Sequence, residues 1–226
     1  MTEILAVLLI AAVVGGIAYL VHRSTVQRRE ALAGLAAELG ATFDPGKDYK
    51  LHRAFEHFDV FARGKNRYGY NTLRGNADLG AWRVGFTMGD YRYTVEQGDN
   101  DTTYTLSYTL VHLPYDNVPD LFIRPEGLLD KIAGAIGFDD IDFESEEFSS
   151  RFHVSSSDKR FAYDVLHPRM MEFLLEIEPP PVALASGSLL MTRGNTEWDP
   201  EMFRAHLRWS REFFSRWPDH VRATLR

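Results

Sequence analysis

Residues 82–110, WRVGFTMGDYRYTVEQGDNDTTYTLSYTL, carry the reading that decides the fold. Trp82, Val84, Phe86 and Met88 alternate with Arg83, Gly85 and Thr87. Successive side chains of a strand point to opposite faces, so this spacing predicts a strand with one buried face. After Gly89-Asp90 the phase changes, and Tyr91, Tyr93 and Val95 become the large residues. A one-residue slip of this kind predicts a bulge or a turn at Gly89-Asp90. Gln97-Gly98-Asp99-Asn100-Asp101 reads as a hairpin loop, and Tyr104, Leu106, Tyr108 and Leu110 alternate with small polar residues on the return strand. Strands joined by so short a loop pair antiparallel.

Working outward, Ala41–Phe43, Val60–Ala62, Tyr68–Leu73, Leu121–Ile123, Phe152–Val154 and Leu189–Met191 read as further short strands. Helices are expected at Leu51–Phe58, at Leu128–Ile136 with Gly137 as its stop, at Asp158–Leu166 and from Pro168 to Glu176. Asp199-Pro200-Glu201 combines a cap, a proline suited to the first helical position and a first-turn acid, so it starts another. Glu178-Pro179-Pro180-Pro181 reads as a stiff extended joint. The fold class that follows is α+β: an N-terminal transmembrane helix, then a mixed, largely antiparallel sheet with covering helices.

The transmembrane helix is read from Ile4–Val21, ILAVLLIAAVVGGIAYLV, which carries no charge. At 1.5 Å per residue it spans about 27 Å, close to the hydrocarbon thickness of a bilayer. Arg23, Arg28 and Arg29 follow it, whereas Glu3 precedes it. Basic residues favour the cytoplasmic side, so the N-terminus is expected outside and the rest in the cytoplasm. The absence of a basic n-region and of a small-residue cleavage site argues for an uncleaved anchor. Ser24–Leu39 has helical spacing in Val26, Leu32, Leu35, Ala36 and Leu39, with Gly40 as C-cap, and predicts an amphipathic stalk helix that packs on its own domain. The expected organisation is an anchor over 1–23, a stalk helix over 24–40 and a globular domain over 41–226.

Composition narrows the function. There is no cysteine, which excludes disulfides, thiol nucleophiles and cysteine zinc sites. A formal charge of −7 argues against non-specific nucleic-acid binding, which needs basic surface to displace counterions. Neither a phosphate-binding glycine loop, nor GxSxG, nor HExxH occurs, and no cofactor or metal is implied. His52-Arg-Ala-Phe-Glu56-His57 has one residue too many for an inverted zincin motif, and reads as a helix surface. The acids Asp139, Asp140, Asp142, Glu144, Glu146 and Glu147 alternate with apolar residues and lack a calcium loop's spacing, so they read as a solvated edge. Arg63 to Gly75 is the most distinctive stretch. Arg63, Lys65, Arg67 and Arg74, with two tyrosines and flexible glycines, read either as a site for a phosphate or anionic lipid headgroup or as a hairpin edge kept soluble by its charges.

Four segments carry a family resemblance: Arg63-Gly64 through Asn71-Thr72-Leu73-Arg74-Gly75, Phe122–Gly127, Ile141–Glu144 and Phe148–Phe152. In these the chain resembles an uncharacterised bacterial family with an N-terminal membrane span and an α+β domain of unknown function. The resemblance implies an architecture in a bacterial inner membrane and no activity. The expected function is therefore a single-pass, membrane-tethered cytoplasmic interaction or scaffold domain. Its partners would be the bilayer through residues 4–21 and a protein. The alternatives are an enzyme with a site built from Asp, Glu, His or Arg, and an anionic headgroup-binding module.

Overall fold

The computed structural model describes residues 2–80, 82–98, 100–127 and 138–225. The helix expected at Leu128–Ile136 lies outside the described residues.

Helix α1 runs unbroken from Thr2 to Glu38. Ile4, Leu8, Leu9, Ile10 and Val14 are 60–68 % exposed, and this is a helix long and apolar enough to cross a membrane. Its last turns are different. Leu32, Leu35 and Ala36 are buried against Leu73, Phe86, Met88, Trp198, Phe203 and Leu207. Burying each leucine contributes about 2 kcal/mol. The helix stops where Gly40 takes φ +61°. The Gly40 amide then bonds the Ala37 carbonyl and the Ala41 amide bonds that of Ala36, a pair of bonds that satisfies carbonyls left over at a helix end.

The strands are β1 (Thr42–Asp44), β2 (Lys65–Asp78), β3 (Arg83–Gln97), β4 (Asn100–His112), β5 (Leu121–Pro125), β6 (Phe152–Ser156), β7 (Val182–Ala185) and β8 (Ser188–Thr192). They form one sheet in the order β1-β2-β3-β4-β8-β7-β5-β6, and every neighbouring pair is antiparallel. The other helices are α2 (Leu51–Ala54), α3 (Asp59–Ala62), α4 (Glu146–Arg151), α5 (Lys159–Val165), α6 (Pro168–Ile177), α7 (Pro200–Ser215) and α8 (Asp219–Thr224). The chain is thus α+β, with an apolar leading helix and helices over an antiparallel sheet.

The two sheet faces have separate cores. On one, Tyr91, Tyr93, Leu106, Tyr108 and Leu110 pack against Phe58, Val60 and Phe61 around α2 and α3. On the other, the end of α1 and the start of α7 cover Leu73, Phe86 and Met88, while α5, α6 and α8 cover Val154, Val182, Leu184 and Leu189.

This arrangement explains the phase change in β3 and moves the expected bulge. The β3–β4 ladder is unbroken from Gly85↔His112 to Gln97↔Asn100, so β3 neither turns nor bulges. Its first half buries the face under α1 and its second half the face under α3. The irregularities lie in β2, whose register shifts between Lys65 and Tyr68 and again, opposite Gly89, between Tyr70↔Asp90 and Leu73↔Met88. Asn71 takes φ +49° in that bulge. Gly89 lies opposite, and a Cβ there would sit 2.9 Å from the Asn71 carbonyl oxygen. The glycine therefore makes room for a bulge in its neighbour.

Other readings change as well. Val60-Phe61-Ala62 is helical, in α3, although two of the three residues favour strands: burial of Val60 and Phe61 beneath the sheet outweighs local propensity. The triproline segment leads directly into β7, which was not read as a strand, and α8 follows Pro218. The acidic stretch is a loop with one bridge, Asp140↔Ser155, up to Ser145, and Glu146 and Glu147 form the first turn of α4.

Candidate functional site

The register of β2, β3 and β4 sets side chains in rows beneath α1. One row is Tyr70–Asp90–Ser107 and the next is Tyr68–Arg92–Thr105. Asp90 occupies the position two residues beyond Met88, on the face that α1 covers, and is fully buried.

Arg28 of α1 reaches it. Its Nε donates to Asp90 Oδ2 at 2.8 Å and its Nη2 to Oδ1 at 2.5 Å. Nη1 donates to the Trp198 carbonyl at 3.0 Å, and Nη2 also approaches Ser107 Oγ at 3.2 Å. Asp90 further accepts from Asn71 Nδ2 at 2.9 Å and from Ser107 Oγ at 2.7 Å. Ser107 Oγ in turn accepts from the Trp198 amide at 2.9 Å. One buried carboxylate thus ties together α1, three strands and the loop before α7. Burial works against the Arg28 charge, but the hydrogen bond and the attraction of Asp90, with Glu197 beyond it, raise its pKa above the ordinary value. Glu197 stands 3.6 Å from Arg28 and accepts from the Tyr70 hydroxyl at 2.9 Å. Burial, then the charges of Asp90 and Glu197, push the Tyr70 phenol well up, so it stays a proton donor.

Above this network opens a cleft of about 470 Å³. One wall is Ser24, Thr25, Arg28 and Arg29 of α1, immediately beyond the apolar run. The floor and far wall are Tyr68, Tyr70, Asn71, Arg92, Thr103 and Thr105, and Pro45, Lys47 and Glu197 form the rim. The rings of Tyr68 and Tyr70 lie 5.8 Å apart between centroids, and Tyr49, outside the lining, packs 5.6 Å from Tyr68. The Lys47 ammonium lies 4.5 Å from the Tyr68 ring centre. Among the described residues Arg29, Lys47 and Arg92 make no ion pair.

The four basic residues singled out from sequence lie elsewhere, each held within the chain. Arg63 donates to Asp59 at 2.7 Å, Lys65 pairs with Glu96 at 2.5 Å and Asp101 at 3.2 Å, and Arg74 donates to Asp48 at 2.7 Å. Arg67 donates to the Ala62 carbonyl at 2.6 Å, at the end of α3. The same stretch contributes Tyr68, Tyr70 and Asn71 to the cleft, so its aromatic and amide residues, not its cations, line it. Arg28 and Asp90 were missed, yet the signal was present. Arg28 precedes Leu32 by four residues on the buried stripe of α1, and Asp90 continues the buried series Val84, Phe86, Met88. A lone charge on a buried face marks a group that must find a partner, without naming that partner. Among the described residues no three His, Cys, Asp or Glu side chains gather where a metal ion would sit.

No family model matches the chain, and no curated protein does. The chain is similar to the crystal structure of the mycobacterial trehalose monomycolate transport factor A, TtfA. The TM-score is 0.57 and the identity 13 %, over 87 % of this chain and 97 % of that one. At that identity the likeness is one of fold.

Proposed function

We propose that this chain is a single-pass protein of a bacterial inner membrane whose α+β domain is a cytoplasmic interaction module held rigidly against the leaflet. The observation that carries this reading is the continuity of α1. The helix that leaves the apolar run is the same helix whose Leu32 and Leu35 enter the core, and Arg28 bolts it to Asp90 on the way. From Val21 to Leu32 is eleven residues, or about 16 Å of helix. A flexible leash would leave the domain free to tumble, whereas this tether fixes which surface faces the lipid. Arg23, Arg28 and Arg29 beyond the run support a cytoplasmic domain. The fold shared with a trehalose monomycolate transport factor is consistent with a membrane-associated role.

The cysteine-free sequence makes the test clean. Single cysteines are introduced at Thr2 and at Ser157, and intact cells are treated with a membrane-impermeant maleimide. The reading expects label at position 2 only, with the protein resistant to carbonate extraction. Label at position 157, or release by carbonate, would overturn it. Crosslinking in the membrane is then expected to trap a stoichiometric protein partner.

A further inference from the structure

We propose that the cleft beneath α1 binds the phosphate of an anionic phospholipid headgroup from the leaflet in which the helix is anchored. This rests on the tethered reading above, and adds a ligand site that uses none of the cations Arg63, Lys65, Arg67 and Arg74.

Position is the first argument. Ser24 lies three residues past Val21, about 4.5 Å along the helix, and Arg28 about 10 Å. The headgroup layer on each side of a bilayer is about 5–7 Å deep, so the mouth of the cleft opens within or just below it. Charge is the second. The chain carries a net −7, yet Arg29, Lys47 and Arg92 surround this opening without an ion pair among the described residues. Among the described residues Glu197 is the one carboxylate lining it, and it is engaged by Tyr70 and Arg28. Arginine presents forked donors that match phosphate oxygens, and lysine a point charge. The lining is the third. The hydroxyls of Ser24, Thr25, Thr103 and Thr105 add short polar groups, and Tyr68 and Tyr70, with the exposed Tyr49 packed beside Tyr68, are of the residue type that favours the interface between lipid and water. Asn71 is held by its bond to Asp90 and keeps a buried amide oxygen with no donor, an acceptor suited to a headgroup hydroxyl.

Phosphate chemistry has two sources here, a lipid headgroup and a soluble phosphate, and the experiment separates them. The full chain in detergent micelles is titrated with phosphatidylglycerol, phosphatidylcholine or inorganic phosphate, and adducts are read by native mass spectrometry. Phosphatidylglycerol adducts are expected at concentrations at least tenfold below those for phosphatidylcholine. In the triple variant R29A/K47A/R92A that affinity should fall roughly 100-fold, the attraction of three basic side chains to an anionic surface. All three residues are exposed, so the variant should melt at the parent temperature. A variant removing Lys65 and Arg74, which are paired elsewhere, should bind like the parent. Equal binding of the two lipids, equal loss in both variants, or saturation by inorganic phosphate at lipid-like concentrations would each overturn the proposal. Failure of the tether would show separately, as release by carbonate.

Discussion

The Arg28 guanidinium grips both carboxylate oxygens of Asp90, a residue 62 positions away, and does so where the carboxylate is fully buried. The pair joins the apolar leading helix to the centre of the sheet. Desolvating two charges is costly, and here four donors to the carboxylate offset that cost. The pair therefore matters less as a source of stability than as a device that admits one seating of α1.

Removing one partner leaves the other charge stranded. Arg28→Met and Asp90→Ala should each destabilise the domain by about 3–5 kcal/mol in urea titration. The double variant R28M/D90A should lose less than the sum of these two, because no buried charge remains. Strict additivity would show that the two side chains are not coupled.

The α1 seam is the second test. Leu32→Ala should cost about 3 kcal/mol through lost burial and a residual cavity. It should also raise proteolytic cleavage between residues 24 and 40, where the parent is protected by packing. Unchanged cleavage with lowered stability would mean that α1 stays docked without this contact.

Gly89 faces the β2 bulge with backbone atoms at 2.9 and 3.0 Å from where a Cβ would sit. Gly89→Ala should therefore cost about 2 kcal/mol as strand or bulge shifts. Gly98 is the useful contrast: its φ is +59° but nothing lies within 4 Å. Gly98→Ala should cost about 1 kcal/mol, the backbone penalty alone. A thermal melt that ranks them the other way would place the tight approach elsewhere.

Stability should fall in mild acid. Burial lowers the His206 pKa from 6.5 to about 4, with its ring 4.2 Å from that of Trp198. The unfolded chain takes up a proton below about pH 6.5 and the folded one resists until about pH 4, so stability is lost as pH falls through that window. For this histidine the loss reaches up to about 3 kcal/mol. Burial lowers His112 and His57 in the same direction. His206→Gln should flatten the slope of melting temperature between pH 6.5 and 4.5, and an unaltered slope would remove His206 as a cause.

Much of the local architecture was legible. The apolar run, the Gly40 stop, the β3–β4 hairpin and the Asp199-Pro200 helix start all depend on neighbours within a few residues, and periodicity or capping chemistry reports those directly. Where local preference and burial disagreed, at Val60–Ala62, burial won. The phase change at Gly89-Asp90 was a true signal with its cause one strand away. Alternation records which face is covered, and two different layers cover the two halves of β3.

By itself the sequence determined that a membrane-length helix leads into an antiparallel α+β domain, because those properties are set by composition and short-range spacing. Only the tertiary structure decided the strand order β4-β8-β7-β5-β6, the bulge at Asn71 and the cleft beneath α1. The reason is physical. Arg28 meets Asp90 across 62 residues and Trp198 across 170, and nothing in a local pattern names the partner of a buried charge.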